Sequence, residues 1–179
     1  MGKRGCFVVD AYEAERTVLR EGRVVLWEVL PRDAARIADG ETAGLRWIDG
    51  LPGDGTVGAA GIVLKSVLAG TYVPGWGVYC VLRAEDEVAV GGIGFHGPPL
   101  DGEVEIGYDL SVSARGAGWA TDALRLLSGW ALGRPGVRRA VATTEPSNTP
   151  SQAVLSRAGY TRVADRDGLW AYELTAMPQ

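Results

Sequence analysis

The sequence predicts a mixed α/β domain, helices interleaved with a sheet whose middle strands run antiparallel. Three observations carry this. Apolar runs and turn residues follow the order strand, helix, helix, three strands, helix, strand, helix, strand, strand. Within Glu103 to Val112 the alternate positions Val104, Ile106, Tyr108 and Leu110 form an apolar face, while Glu103, Glu105 and Asp109 share the other, the period of a half-buried strand. Directly after it, Ala120, Ala123, Leu124, Leu127 and Ala131 fall on the buried stripe of a helix from Gly118 to Leu132.

Residues 1–22 read as an N-terminal extension without an assigned structure and 23–179 as a single domain, because 179 residues supply one core of ordinary size. Val24 to Leu30 is an apolar strand, and Pro31 and Asp33 open a short helix, Ala34 to Ala38. Thr56 is placed to cap a second helix that turns Val57, Ala60, Leu64, Val67 and Leu68 inward. Gly77 to Leu82 and Glu87 to Phe95 form a hairpin that turns at Glu85 and Asp86. Gly133, Pro135 and Gly136 end the long helix, and Val137 to Thr144 is the next strand. Thr149 with Gln152 spells a capping box, and Pro150 takes the first helical position. Gly159 stops that helix, leaving Tyr160 to Val163 and Leu169 to Leu174 as closing strands.

Composition removes several functions. Eighteen Lys and Arg stand against 22 Asp and Glu, with no long basic block, so nucleic acid is a poor partner. The longest nearly apolar stretch, Thr56 to Leu64, is far too short to span a bilayer, and the start lacks the apolar centre of a secretory signal. A cytoplasmic chain without membrane contact is expected. Cys6 and Cys80 lie far apart and His96 is the lone histidine, which disfavours a disulfide framework, a Cys/His metal site and a histidine-based triad.

The informative stretch runs from Leu110 to Thr121, where a strand passes through a glycine-bearing turn into an amphipathic helix. Such a junction presents backbone N–H groups at the positive end of a helix dipole, and small residues let an anion approach them. A Walker loop needs Gly-Lys and then Ser or Thr, but Trp119 follows Gly118; a dinucleotide fingerprint needs a glycine where Thr121 stands. What remains is a diphosphate held without metal or lysine.

Here the sequence resembles the GNAT superfamily of acyl-CoA-dependent N-acyltransferases, in particular the branch that acetylates ribosomal-protein N termini. Arg115, Gly118 and Ala120 meet its pyrophosphate motif of Arg or Gln, two residues, Gly, one residue, Gly or Ala. Gly107-Tyr108-Asp109-Leu110 resembles the preceding strand. Asn148-Thr149-Pro150-Ser151 with Leu155 to Tyr160 resembles the later Asn-x-x-Ser and Gly-aromatic signature, so the matched blocks run in order over Glu87 to Val163. Trp119 stands where a smaller aromatic is usual and Asp109 where an apolar residue is common.

The resemblance implies a central, mostly antiparallel sheet flanked by helices, whose strand ending at Val112 splays from the one ending near Thr144 to admit pantetheine. Acetyl-CoA is the implied cofactor, with no metal. Backbone groups of Leu110 and Val112 then pair with the pantetheine arm, beside Ser111. Amides of Gly116, Ala117, Gly118, Trp119 and Ala120 take the pyrophosphate, with Arg115 and the Thr121 hydroxyl beside them, and Asn148 and Ser151 lie near the thioester. The implied partner is an amine acceptor, a peptide N terminus or a small molecule, and a homodimer is left open.

Acyl transfer to an amine needs a neutral nucleophile, an oxyanion donor and a proton for the thiolate. A lysine-type amine with pKa about 10.4 costs about 4.6 kcal/mol to deprotonate near pH 7, an α-amine near 7.8 about 1 kcal/mol. Glu105 is the preferred base, through water, with Glu103 behind it, since two carboxylates on one strand face can lift one pKa toward the useful range. Both also read simply as solvated strand residues. The Leu110 amide is the candidate oxyanion donor. Ser151 is the candidate acid, as the resemblance implies, although a serine there also satisfies a free helix amide. His96 follows a strand into a turn that explains it without chemistry, and Trp47 and Trp76 either wall an acceptor pocket or pack in the core. A non-catalytic acyl-CoA-binding sensor or scaffold is the alternative function, and a structural domain that binds nothing is a third reading.

Overall fold

The structure, a computed structural model, describes residues 15–175. One eight-stranded sheet runs through the molecule, built from β1 (Val18–Glu21), β2 (Val24–Glu28), β3 (Val78–Arg83), β4 (Ala89–Phe95), β5 (Glu103–Leu110), β6 (Arg139–Thr144), β7 (Thr161–Arg162) and β8 (Trp170–Thr175). Its spatial order is β1-β2-β3-β4-β5-β6-β8-β7, and every neighbouring pair is antiparallel except β5 with β6. Parallel neighbours need a crossover, which α3 (Trp119–Leu132) provides. The strand β1 falls inside the 1–22 segment that has no sequence-level assignment; residues 1–14, with Cys6, lie outside the described residues.

Helices cover both faces. On one, α1 (Pro31–Ala38) and α2 (Asp54–Leu68) bury Ala34, Ile37, Ala60, Val63 and Val67 against Val25, Val29, Val78 and Cys80. On the other, α3 and α4 (Thr149–Arg157) bury Ala123, Leu124, Leu127 and Leu155 against Val81, Val104, Ile106 and Ala140. A leucine as enclosed as Leu124 or Leu127 contributes about 2–3 kcal/mol by leaving water. Trp47 and Trp76 both belong to the packing: Trp47 is buried on the α2 side with its indole N–H on the Thr42 carbonyl, and Trp76 lies 4.9 Å from both Phe95 and Trp130. Burial pushes the Cys80 thiol up to about 12, so it packs as an inert hydrophobe.

Three expectations are corrected. The second helix starts at Asp54 after Gly53 with no side-chain cap, and Thr56 is buried inside it. Its inward stripe is Thr56, Ala60, Val63 and Val67, which leaves Leu68 77% exposed, because glycines and alanines on the remaining positions give the pattern no clear phase. At α4 the cap is Asn148, one residue earlier than Thr149. Pro150 at N2 has no N–H to give, so the cap oxygen reaches N3, and Asn148 Oδ1 accepts from the Ser151 N–H at 3.2 Å. The Gln152 amide turns to the carbonyls of Glu145 and Pro146 instead of closing a capping box. Finally, β5 ends at Leu110, and Val112–Ala114 is a 3-10 turn in which Val112 is exposed.

Candidate active site

The junction of β5 and α3 is built to present nitrogen. Gly116 and Gly118 take left-handed φ of 77° and 84°, and Gly118 serves as N-cap of α3 without a side-chain partner. From Gly116 to Thr121 the backbone N–H groups find no acceptor among the described residues. Two buried hydroxyls, Ser111 Oγ and Thr121 Oγ1, flank the loop and also lack a partner. Free donors at the positive end of a 14-residue helix suit an anion, and the orphaned hydroxyls mark where polar ligand atoms are wanted. A diphosphate fits this loop.

Arg23, at the entry to β2, fixes the loop's shape. Its guanidinium donates to the Ala117 carbonyl at 2.7 Å and to Asp122 at 2.8 Å, and lies over the Trp119 ring. Arg115 points elsewhere: its Nε donates to the Leu110 carbonyl at 3.2 Å, bracing the end of β5.

A gap opens beside that strand. β5 and β6 pair only at Glu103–Glu105 with Arg139–Val141, after which β6 continues along β8 alone. Glu105 and Ser111 bond to β4-side partners, so by alternation the N–H and C=O groups of Tyr108 and Leu110, with the Ile106 carbonyl, face the gap. Of these, the Leu110 carbonyl is satisfied by Arg115. An extended amide-bearing arm can add to this edge as a strand would. Across the gap Ser151, from the first turn of α4, holds its Oγ 2.7 Å from the Tyr108 hydroxyl. Burial raises the Tyr108 pKa, so this pair keeps its protons at neutral pH. Asn148 is occupied as the helix cap.

The two strand carboxylates have different fates. Glu103 is clamped by Arg166 at 2.6 Å and Arg139 at 2.7 Å, and Arg166 first, then Arg139, draws its pKa down from the usual 4.5 to about 2. Mutual repulsion does not lift it. A carboxylate so held is a weak base. Glu105 makes no ion pair with an arginine among the described residues; it accepts from Thr143 Oγ1 at 3.1 Å and stands 3.5 Å from His96 Nδ1.

Between α2 and the sheet lies a cleft of about 370 Å³, on the opposite side of β5 from Ser151. Its floor is made of the cross-strand pairs Gly92 with Asp109 and Gly94 with Gly107, and its walls of Ala59, Ile62 and Phe95. His96 closes one end, and the fully buried Thr56 Oγ1, without a partner, faces the floor at Gly92.

A family model described as "Acetyltransferase (GNAT) domain" matches residues 23–161. The chain belongs to the GNAT acetyltransferase family. It is 34% identical over 87 residues to an uncharacterized N-acetyltransferase, YjdG, of Bacillus subtilis (strain 168), and so spans about half of that relative's length, 52%, with 48% of its own. Among solved structures it is similar to an acetyltransferase from Agrobacterium tumefaciens str. C58, with TM-score 0.64, 24% identity, and 90% of this chain and 95% of that one covered. It is also similar to RimJ of Mycobacterium smegmatis in complex with CoA-disulfide, with TM-score 0.60, 24% identity and coverage of 94% and 91%. These two likenesses are of fold.

In this GNAT acetyltransferase the structure therefore brings the loop from Arg115 to Thr121, the free edge of β5 and Ser151 around one gap. Val112 points to solvent, and Glu103 is drawn away into an ion-pair cluster. Three residues escape a sequence reading. Arg23 meets the loop 94 residues away and carries no local signal. Tyr108 is the one hydroxyl on an aliphatic strand face, and Thr56 the one hydroxyl on the buried stripe of α2 among aliphatic side chains; those departures are the available signals.

Proposed function

We propose that this protein is an acetyl-CoA-dependent N-acetyltransferase that acetylates a primary amine, either a peptide N terminus or a small molecule. The observation that carries the reading is the coincidence of unsatisfied loop amides from Gly116 to Thr121 with an unpaired strand edge at Ile106 to Leu110, leading to a glycine-floored cleft. When bound, acetyl-CoA supplies an acetyl group already activated as a thioester.

The chain's own groups supply the rest. Loop amides and the Thr121 hydroxyl hold the diphosphate, and the gap-facing groups of β5 align the pantetheine. The Leu110 N–H is positioned as an oxyanion donor, a contact worth about 3–4 kcal/mol when aligned. The Tyr108–Ser151 pair protonates the departing thiolate, and the Glu105–His96 pair at the end of the cleft receives the amine proton. The acceptor is a peptide N terminus or a small amine, and a cleft of about 370 Å³ suits either.

The test follows free thiol released from acetyl-CoA against a panel of small amines and short peptides with free N termini. Turnover that requires a particular amine supports the reading; acetyl-CoA binding with no turnover on any amine marks a sensor or scaffold instead.

A further inference from the structure

Two strands and the residue just past a third lay their side chains in a line on the face toward α2. Thr143 of β6 donates to Glu105 Oε1 at 3.1 Å, Glu105 Oε2 stands 3.5 Å from His96 Nδ1, and the imidazole leans across β5 so that Nε2 lies over Gly107. A Cβ at position 107 would sit 3.0 Å from that nitrogen, so the glycine is what lets the ring reach over the strand. Glu105 itself lines the neighbouring cavity with Glu103 and Arg139, and only His96 lines both that cavity and the acceptor cleft. The end of the cleft therefore presents an imidazole nitrogen, with the carboxylate behind it.

Position completes the argument. Glu105 belongs to the last paired step of β5 and β6, and Gly107 lies two residues further, where the gap has opened. An acetyl group brought along the free edge of β5 arrives beside Gly107, under Nε2. A carboxylate on Nδ1 fixes the tautomer that leaves Nε2 with its lone pair, and it stabilises the imidazolium when a proton arrives.

Resting on the N-acetyltransferase reading, we propose that His96 is the catalytic base of this enzyme, and that Glu105 is the positioning residue that orients it and steadies its charge. As the amine nitrogen bonds to the acetyl carbon, its proton passes to His96 Nε2. The carbon–sulfur bond breaks with its electron pair on sulfur, which takes a proton from the Tyr108–Ser151 pair. His96 then gives its proton to water and the hydroxyl pair regains one, so the net products are the amide and the free thiol.

The experiment uses the full chain, acetyl-CoA and the best acceptor from the amine and peptide panel. His96→Ala is expected to lower kcat/KM by about 10² to 10⁴, the ordinary contribution of a general base. His96 is half exposed, so the variant's melting temperature should match wild type. Free imidazole should restore a substantial part of the lost rate, a response that a packing role does not give. Glu105→Gln should lower kcat by about tenfold with KM kept, since the base remains but is poorly oriented. His96→Ala within about twofold of wild type, or a loss that imidazole does not repair, overturns the assignment, and a severe Glu105→Gln beside a mild His96→Ala returns the base to the carboxylate. A wild-type chain that turns over no amine overturns the acetyltransferase reading itself, and this proposal with it.

Discussion

The hydroxyls of Tyr108 and Ser151 sit 2.7 Å apart at the far side of β5, close enough to share one proton. Burial raises the Tyr108 pKa and the Ser151 hydroxyl partly opposes that rise, so the pair enters the reaction with its protons in place. Tyr108→Phe and Ser151→Ala should each lower kcat by about tenfold, and the double variant should lose little more than the worse single one, since the two act as one relay. Fully additive losses in thiol release would mean two independent roles. Glu103 serves stability in a different way. Its pKa is held near 2 by Arg166 and Arg139, below the 4.5 it has when unpaired, so its contribution is complete above about pH 4.5 and vanishes as pH falls toward 2. Glu103→Gln is expected to cost about 1 kcal/mol at neutral pH, a partly exposed network being worth no more, and to flatten the acid limb of the unfolding curve between those two pH values. Acetylation rates should hardly change; a large fall would return Glu103 to the chemistry.

The β5–loop–α3 unit is the part of the site most legible in the sequence, because a strict strand period, two glycines and a helical stripe all act locally. Gly118 at φ 84° imposes a conformation that costs an L-residue roughly 1–2 kcal/mol, and a Cβ there would lie 2.9 Å from the Arg23 guanidinium that holds the Ala117 carbonyl. Gly118→Ala and Arg23→Ala should therefore raise the KM for acetyl-CoA by about tenfold while leaving kcat at saturation nearly unchanged, as expected when only binding is weakened. Initial rates across a range of acetyl-CoA concentrations check this; a fall in kcat with KM constant contradicts it. Elements without such local marks were harder to read. The phase of α2 escapes because its glycines and alanines fit either face, and only the close approach of Thr56 to Gly92 selects one. The cap of α4 depends on a missing proline N–H, and β1 exists because β2 offers it an edge, from Val18 opposite Trp27 to Glu21 opposite Val24.

At the scale of the whole molecule, the sheet is two parts joined by three residue pairs between β5 and β6, with α3 and α4 packed behind the join. That is why so much of the site was invisible in the sequence: Arg23 and Ala117, and Tyr108 and Ser151, each meet only when the strand order is complete. It also ties the ligand to the fold, because a molecule reaching from the loop at Gly116 along β5 to α4 bridges both parts. Binding to the folded chain alone at about 100 times Kd should add about 2.7 kcal/mol. For a domain of this size, at about 2–4 °C for each kcal/mol, acetyl-CoA should raise the melting temperature by about 5–11 °C. The protection should be localised as well. Amide hydrogen exchange should slow at Tyr108 and Leu110, whose N–H groups face the gap, and from Gly116 to Thr121, whose N–H groups have no acceptor among the described residues, and change little in β2 and β3, already paired on both sides. A melting shift without slowed exchange at these two segments would put the ligand elsewhere on the molecule, and no shift at all would leave the loop without the anion that its geometry calls for.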